Sequence, residues 1–160
     1  MQETIYHKSP LGWIALVETA CSLSQLKFIS EPPLMFKKKP RQVAKNAMKA
    51  LDLYFSNPSN PFLLPLKAEG TPFQKIIWEL VANIPVGETR TYQEIAFQYG
   101  NPKAVRAVGT AIGQNPIMIF IPCHRVIGIN GSLTGYAGGI EKKRWLLQHE
   151  GYPIQKTLDL

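Results

Sequence analysis

Cysteine is scarce in this chain: two of 160 residues, Cys21 and Cys123. That excludes a disulfide-stapled scaffold and suits free thiols in a reducing compartment. A zinc centre also fits poorly, because two Cys and three His form no C-x-x-C and no H-x-x-x-H pair. Long apolar runs are missing as well. The run Ile117 to Ile121 is far short of the ~20 residues that span a bilayer, and the start MQETIYHKSP has no apolar signal core. A soluble, intracellular protein without membrane contact is expected. Acidic residues are the third scarcity. Eleven Asp and Glu face eighteen Lys and Arg, giving +7 at pH 7, a balance that suits a polyanionic partner without proving one. Between Arg90 and Arg144 the only acids are Glu94 and Glu141. The basic run Lys37 to Arg41 sits among prolines and reads as a solvated loop.

What is present is a globular composition, 45% apolar and 18% charged. A chain this long buries roughly 70% of its unfolded surface and needs no staples. No internal repeat or low-complexity segment interrupts it. The first thirty residues read as strands, with Ser9-Pro10-Leu11-Gly12 as a turn and an imperfect alternation over Ser22 to Ile29. Residues 30 to 40 hold three prolines and read as a loop. Arg41 to Phe55 has helical spacing, and Phe62 to Leu66 reads as an edge strand because of Pro65.

The second half is mainly helical. Thr71-Pro72-Phe73-Gln74 is a capping box with Pro at the first helical position, and Thr91-Tyr92-Gln93-Glu94 is a second box. Gly100-Asn101-Pro102 forms a tight turn, and Asn101 caps a third helix through Ala104, Val105, Val108 and Ile112. Two short helices joined this way form a helix-turn-helix, although an αα-corner that never touches DNA packs alike. Ala104, Ala107, Gly109 and Ala111 make the third helix slim, which serves close approach to a groove or close helix packing equally well. The expected fold is α/β (α+β). A small strand-and-helix scaffold domain spans residues 1–68, and a mainly helical domain with the helix-turn-helix spans residues 69–160.

After Asn115-Pro116, an apolar strand-like run, Ile117 to Ile121, delivers Pro122-Cys123-His124-Arg125-Val126. Pro122 restricts the backbone before the thiol. A nucleophilic cysteine needs a base or a positive neighbour, and His124 is the candidate. A Cys after an apolar run is more often a buried, inert thiol. The residue types alone leave both readings open, and a cysteine protease would carry other local signatures.

PCHRV at 122–126, preceded by GNPKAVRAVG and NP and followed by GYAGG and WLLQHEG, resembles the O6-alkylguanine-DNA alkyltransferase family, the methylated-DNA–protein-cysteine methyltransferases. The resemblance is dense over residues 70 to 152, while the first half matches only in general plan. It implies stoichiometric, single-turnover transfer of an alkyl group from O6-alkylguanine in duplex DNA to Cys123, and leaves open whether O4-alkylthymine is also a substrate. In that scheme His124 takes the thiol proton through a water, and Glu150, at the end of a helix from Glu141 to His149, orients His124. Asn115 ties the helix-turn-helix to the thiol segment by backbone hydrogen bonds, and Tyr92 donates toward guanine N3. Arg106 fills the stack after the nucleotide is flipped from the minor groove. Ala104, Ala107, Gly109 and Arg125 complete the DNA contacts. The carbonyls of Cys123 and Val126, the Tyr136 ring and the Ala137 amide form the base pocket. No cofactor and no metal is implied, and the partner is double-stranded DNA bound by a monomer.

Three departures matter. Position 137 is Ala where some members carry Ser, and position 118 is Met where some carry Pro at the pocket rim. Where some members bind zinc in the first half, this chain offers His7 and Cys21, so zinc is not carried over, and Cys21 reads as a packed thiol. Three other readings compete. Alkyltransferase-like damage sensors commonly carry Trp in place of Cys123. A helix-turn-helix regulator leaves His124 and Glu150 unexplained. A thiol hydrolase would turn over.

Overall fold

Ser9-Pro10-Leu11-Gly12 joins the first two strands of a computed structural model that describes residues 1–36 and 38–154. Strands β1 (Glu3–Ser9), β2 (Gly12–Glu18) and β3 (Leu23–Ile29) form an antiparallel sheet in that order. Gly12, at φ 104°, turns the chain where a side chain would be strained, and Ser9 Oγ donates to Gly12 O at 2.8 Å. On β2, Ile14, Leu16 and Glu18 are buried in period two. The imperfect alternation of β3 has a structural cause. The register slips between Val17 and Glu18, which pair with Gln25 and Leu23, so Ser24 bulges and donates from Oγ to Val17 O at 3.2 Å.

Helix α1 (Gln42–Ser56) packs across all three strands with Val43, Ala44, Ala47, Leu51 and Tyr54. Its N-cap residue, Arg41, makes no side-chain cap. The buried Glu18 carboxylate does so from β2, accepting from Arg41 N at 2.8 Å and Ala44 N at 2.9 Å. An anion at a helix N-terminus also meets the favourable end of the dipole.

Two expectations for this half are corrected. Residues 62–66 form no strand. A single parallel bridge joins Leu66 to Leu23, with Leu23 N donating to Pro65 O and Lys67 N donating to Leu23 O. Pro65 has no N–H to extend a ladder. Cys21 is exposed rather than packed, because it lies in the bend between β2 and β3. Of the basic run, Lys37 lies outside the described residues, and Lys38 is an exposed partner of Glu3 at 2.7 Å.

The chain divides into two compact units, Met1–Glu69 and a second beginning at Gly70. In the second, α2 (Pro72–Ala82) and α3 (Tyr92–Tyr99) open with complete capping boxes, Thr71 with Gln74 and Thr91 with Glu94. Gly100 closes α3 in the left-handed conformation. Asn101 caps a 3-10 turn, Pro102–Ala104, and only then does α4 (Val105–Gly113) begin. Helices α2, α3 and α4 pack together, and Trp78 Nε1 donates to Ala111 O at 2.8 Å. The two-residue strands β4 (Arg90–Thr91) and β5 (Val126–Ile127) pair in parallel. Helix α5 (Ile140–His149) follows, with Leu147 packed against Ile127 and Leu133. Among the described residues, no helix is long and apolar enough to cross a membrane.

The Glu18 contacts lead to a stability prediction. Glu18→Ala strips two acceptors from the start of α1 and should cost about 3 kcal/mol in urea unfolding. Glu18→Gln, which keeps one acceptor oxygen, should cost less than half of that. Equal losses would show that the carboxylate's charge, not the number of acceptors it offers, explains the cost.

Candidate active site

The segment between α4 and β5 is not the strand its apolar pattern suggests. It is a chain of tight turns. Phe120 N donates to Met118 O at 2.8 Å around Ile119, whose φ is 70°. This is a γ-turn of the rarer hand, strained for a β-branched residue. Ile121 N donates to Ile117 O at 3.0 Å. Pro122, at φ −80° and ψ 64°, then centres an inverse γ-turn closed by Cys123 N on Ile121 O at 2.8 Å. Burial on all sides overrides the extended preference of Ile117 to Ile121.

Asn115 clamps these turns. Its Nδ2 donates to Ile121 O at 2.8 Å and its Oδ1 accepts from Ile117 N at 2.9 Å. Asn115 N itself donates to Ile112 O in the last turn of α4. One buried amide therefore links the end of the helix-turn-helix to the backbone beside the thiol.

Cys123 opens a 3-10 turn, Cys123–Arg125, and is 6% exposed. Burial pushes its thiol pKa up, opposed by hydrogen bonding from the Asn115 side chain and by the charge of Lys143. His124 is fully buried, and burial lowers its pKa against the pull of Glu150. The ring is neutral at pH 7. Its Nε2 lies 2.7 Å from Glu150 Oε1, and a carboxylate only accepts, so Nε2 carries the proton. Nδ1, buried and without a protein partner among the described residues, is left with its lone pair. Glu150 caps the C-terminus of α5.

Arg125 needs correction as a DNA contact. It is 6% exposed. Its Nε and Nη2 donate to the two Glu150 oxygens at 2.9 Å each, and Nη1 donates to Ile84 O at 2.7 Å. Its charge is committed to a buried carboxylate that would otherwise be uncompensated. Burial would raise the Glu150 pKa, but hydrogen bonds from His124 and Arg125 outweigh it and hold the carboxyl at about 2.

Tyr92, at the start of α3, is half-buried and donates from its hydroxyl to Thr134 O at 3.2 Å. Tyr136 is buried and Ala137 exposed in the loop before α5. The Val126 carbonyl accepts from Lys143 Nζ at 2.5 Å. On α4, Arg106 and Ala107 are exposed, while Ala104 and Gly109 are half-buried. A Cβ at Gly109 would lie 3.8 Å from the Tyr92 ring, an ordinary contact, so helix packing does not itself demand glycine there. Lys103, Ala104, Arg106, Ala107 and Thr110 border a shallow concavity along α4. Thus Cys123, His124, Glu150 and Asn115 come together, Tyr92 stands across the Thr134 carbonyl, and Arg106 and Ala107 form a separate exposed face. Among the described residues, no group of three or more His, Cys, Asp or Glu could hold a metal ion.

Sequence reasoning missed the buried roles of Arg125 and Lys143. Helical spacing held a signal for Lys143, which shares a face of α5 with the buried Leu146 and Leu147.

The pKa shifts set an acid limit. Glu150 falls from 4.5 to about 2 on folding, so its contribution to stability is full above pH 4.5 and is lost as pH falls toward 2. The shift corresponds to about 3 kcal/mol. His124, with its pKa lowered by burial, adds a loss of the same sign beginning below its ordinary 6.5. Urea unfolding of wild type and Glu150→Gln across this range should show the stability gap closing with acid. A constant gap would exclude the carboxylate as its source.

Residues 72–152 match the family model described as 6-O-methylguanine DNA methyltransferase, DNA binding domain. The methylated-DNA–protein-cysteine methyltransferase of Haemophilus influenzae is 42% identical over 153 residues, covering 92% of this chain and 86% of that protein. The crystal structure of Mycobacterium tuberculosis O6-methylguanine methyltransferase superposes with a TM-score of 0.79 at 40% identity over 99% of both chains. Mycobacterium tuberculosis OGT in complex with DNA gives 0.78 at 42% identity, over 93% of this chain and 91% of that one. With a buried cysteine beside an oriented histidine at the matching motif, the chain belongs to the methylated-DNA–protein-cysteine methyltransferase family.

Proposed function

We propose that this protein repairs DNA directly, moving the alkyl group of an O6-alkylguanine in duplex DNA onto its own Cys123 and stopping after one event. The observation that carries this reading is the His124 tautomer: Nε2 is held by Glu150, leaving Nδ1 as a buried base next to a buried thiol. His124 Nδ1 takes the thiol proton through a water. The sulfur attacks the alkyl carbon, the S–C bond forms and the C–O6 bond breaks. Tyr92 gives its phenolic proton to guanine N3, so the base leaves neutral rather than as an anion. A proton returned from His124 to Tyr92 restores both groups. The arrangement follows triad logic, with displacement at carbon in place of acyl transfer. A thiol that burial keeps protonated at rest suits deprotonation within the reaction step.

The target atom lies inside the base stack, so the nucleotide is rotated out at a cost of a few kcal/mol. Helix α4 enters the minor groove with its exposed Ala107 and Arg106 face, and the guanidinium occupies the gap left in the stack. The flipped base meets the carbonyls of Cys123 and Val126, the Tyr136 ring and the Ala137 amide. Ala104 and Gly109 allow close approach of α4 to the backbone. Sequence preference is weak, since the minor groove carries a degenerate code. Residues 1–68 act as scaffold, the protein works as a monomer, and the free thiol suits an intracellular location.

Intact-protein mass after incubation with a duplex containing one O6-methylguanine tests the reading. The expected result is one methyl group on Cys123, located by peptide mapping and saturating at one per molecule. Cys123→Ala should bind the lesion and gain nothing. Tight binding by the wild type without any mass change would point instead to a damage sensor. Arg106→Ala should slow repair in duplex DNA at least about tenfold, the equivalent of ~1.4 kcal/mol of lost flipped-state support. Its reaction with free O6-alkylguanine should be unchanged. Equal losses on both substrates would remove Arg106 from flipping.

A further inference from the structure

Among the described residues, Lys143 is the one buried cation that the proposed chemistry leaves unused. It is 1% exposed in the middle of α5, with no carboxylate within ion-pair distance among the described residues. Two neutral carbonyls hold its ammonium, Val126 O at 2.5 Å and Thr134 O at 2.9 Å. A lysine kept for packing alone would be poorly suited to this place, because burial of an unpaired charge is costly and an apolar side chain fills the same volume without that cost. The two carbonyls belong to elements that matter. Val126 N donates to Cys123 O, closing the turn that carries the thiol. Thr134 O also accepts from the Tyr92 hydroxyl, and Lys143 Nζ stands 5.9 Å from the Tyr92 ring centroid.

We infer that Lys143 is a positioning residue for the transfer, its fixed ammonium stabilising the negative charge that develops on Cys123 sulfur while the same hydrogen bonds hold the Tyr92–Thr134 side of the pocket. This rests on the proposed function above. The neighbours of the thiol leave few alternatives for that task. From the turn segment comes the neutral Asn115 amide. From the 3-10 turn come His124, neutral, and Arg125, whose charge is bound to Glu150. From α3 comes the Tyr92 phenol, whose pKa is raised chiefly by burial. Lys143, from α5, is the cation whose charge acts directly to lower the Cys123 pKa. Burial brings Lys143 itself down to about 8, while the thiolate pulls it back up. The ammonium is therefore mostly present at neutral pH and is lost just above it. No bond to Lys143 forms or breaks. The sulfur–carbon bond forms and the carbon–O6 bond breaks as described, with the protons carried by His124 and Tyr92.

The test separates this claim from the function on which it rests. Methyl transfer from an O6-methylguanine duplex to wild-type Cys123 is measured first, and its absence would remove the function. Iodoacetamide alkylation of Cys123, read by peptide mass from acid to alkaline pH, needs no DNA and no assumed activity. In Lys143→Met the alkylation and transfer rates at pH 7 should fall about tenfold, and the wild-type advantage should fade as pH rises through about 8, where Lys143 gives up its proton. Lys143→Arg, which keeps the charge at alkaline pH, should keep most of the advantage above that pH. A wild-type advantage over Lys143→Met that is the same at every pH would mean a structural role and overturn the inference, as would an Arg variant as slow as Met throughout. Should Lys143→Met fail to fold, the reciprocal effect serves. The 13C shift of the Lys143 ε-carbon is titrated in wild type and in Cys123→Ser, where no thiolate forms. A lower Lys143 midpoint in Cys123→Ser supports the coupling, and an identical midpoint overturns it.

Discussion

Glu150 is a carboxylate at the end of a helix, closed off from water, and the chemistry of the site is organised around keeping it charged. Burial alone would protonate it, and a protonated carboxyl would offer His124 a donor where an acceptor is needed. Arg125 prevents this. Its fork covers both Glu150 oxygens while its remaining amino group is held by the Ile84 carbonyl just beyond α2. The charge is therefore balanced within the fold, independent of any ligand. With the anion secure, one tautomer of His124 is favoured, and the nitrogen on the far side of the ring is basic. The orientation of the base is thus inherited from the packing of α5 against the 3-10 turn.

The second constraint is mechanical. Between the end of α4 at Gly113 and Cys123 the chain makes successive tight turns, one of them strained at Ile119, and the Asn115 side chain ties both ends of that run together. These hydrogen bonds connect the end of α4 to the thiol backbone through a closely packed run. The exposed face that carries Arg106 and the buried sulfur are chemically unlike, yet they belong to one short stretch of chain. A bulky group on Cys123 would press on the same closely packed turns.

Much of this was legible in residue order because it depends on short-range chemistry. Both capping boxes, the glycine that ends α3 and the Asn101 cap require only neighbours within three residues, and they lie where Thr71, Thr91, Gly100 and Asn101 place them. The pairing of Cys123 with His124 and the family resemblance are likewise local in sequence. The helix ending at His149, with Glu150 just beyond it, came with that resemblance and lies where it implies.

What residue order could not decide is which groups the rest of the chain would cover. Ile117 to Ile121 has the composition of a strand, but past a single bridge position at Ile117 its backbone groups find one another in turns instead. Pro65 limits its neighbourhood to a single bridge, and Cys21 falls on the open side of a bend. Arg125 and Lys143 are written as ordinary cations of a basic protein. Only the approach of α5 turns one into the counter-ion of Glu150 and places the other beneath the carbonyls of Val126 and Thr134. Short-range hydrogen bonds are set by sequence neighbours, whereas the energy of a charge is set by everything packed around it. The sequence by itself therefore determined the capped helices and, through the motifs that carry the resemblance, the nucleophile and the family, and tertiary structure alone decided the electrostatics that make the nucleophile usable.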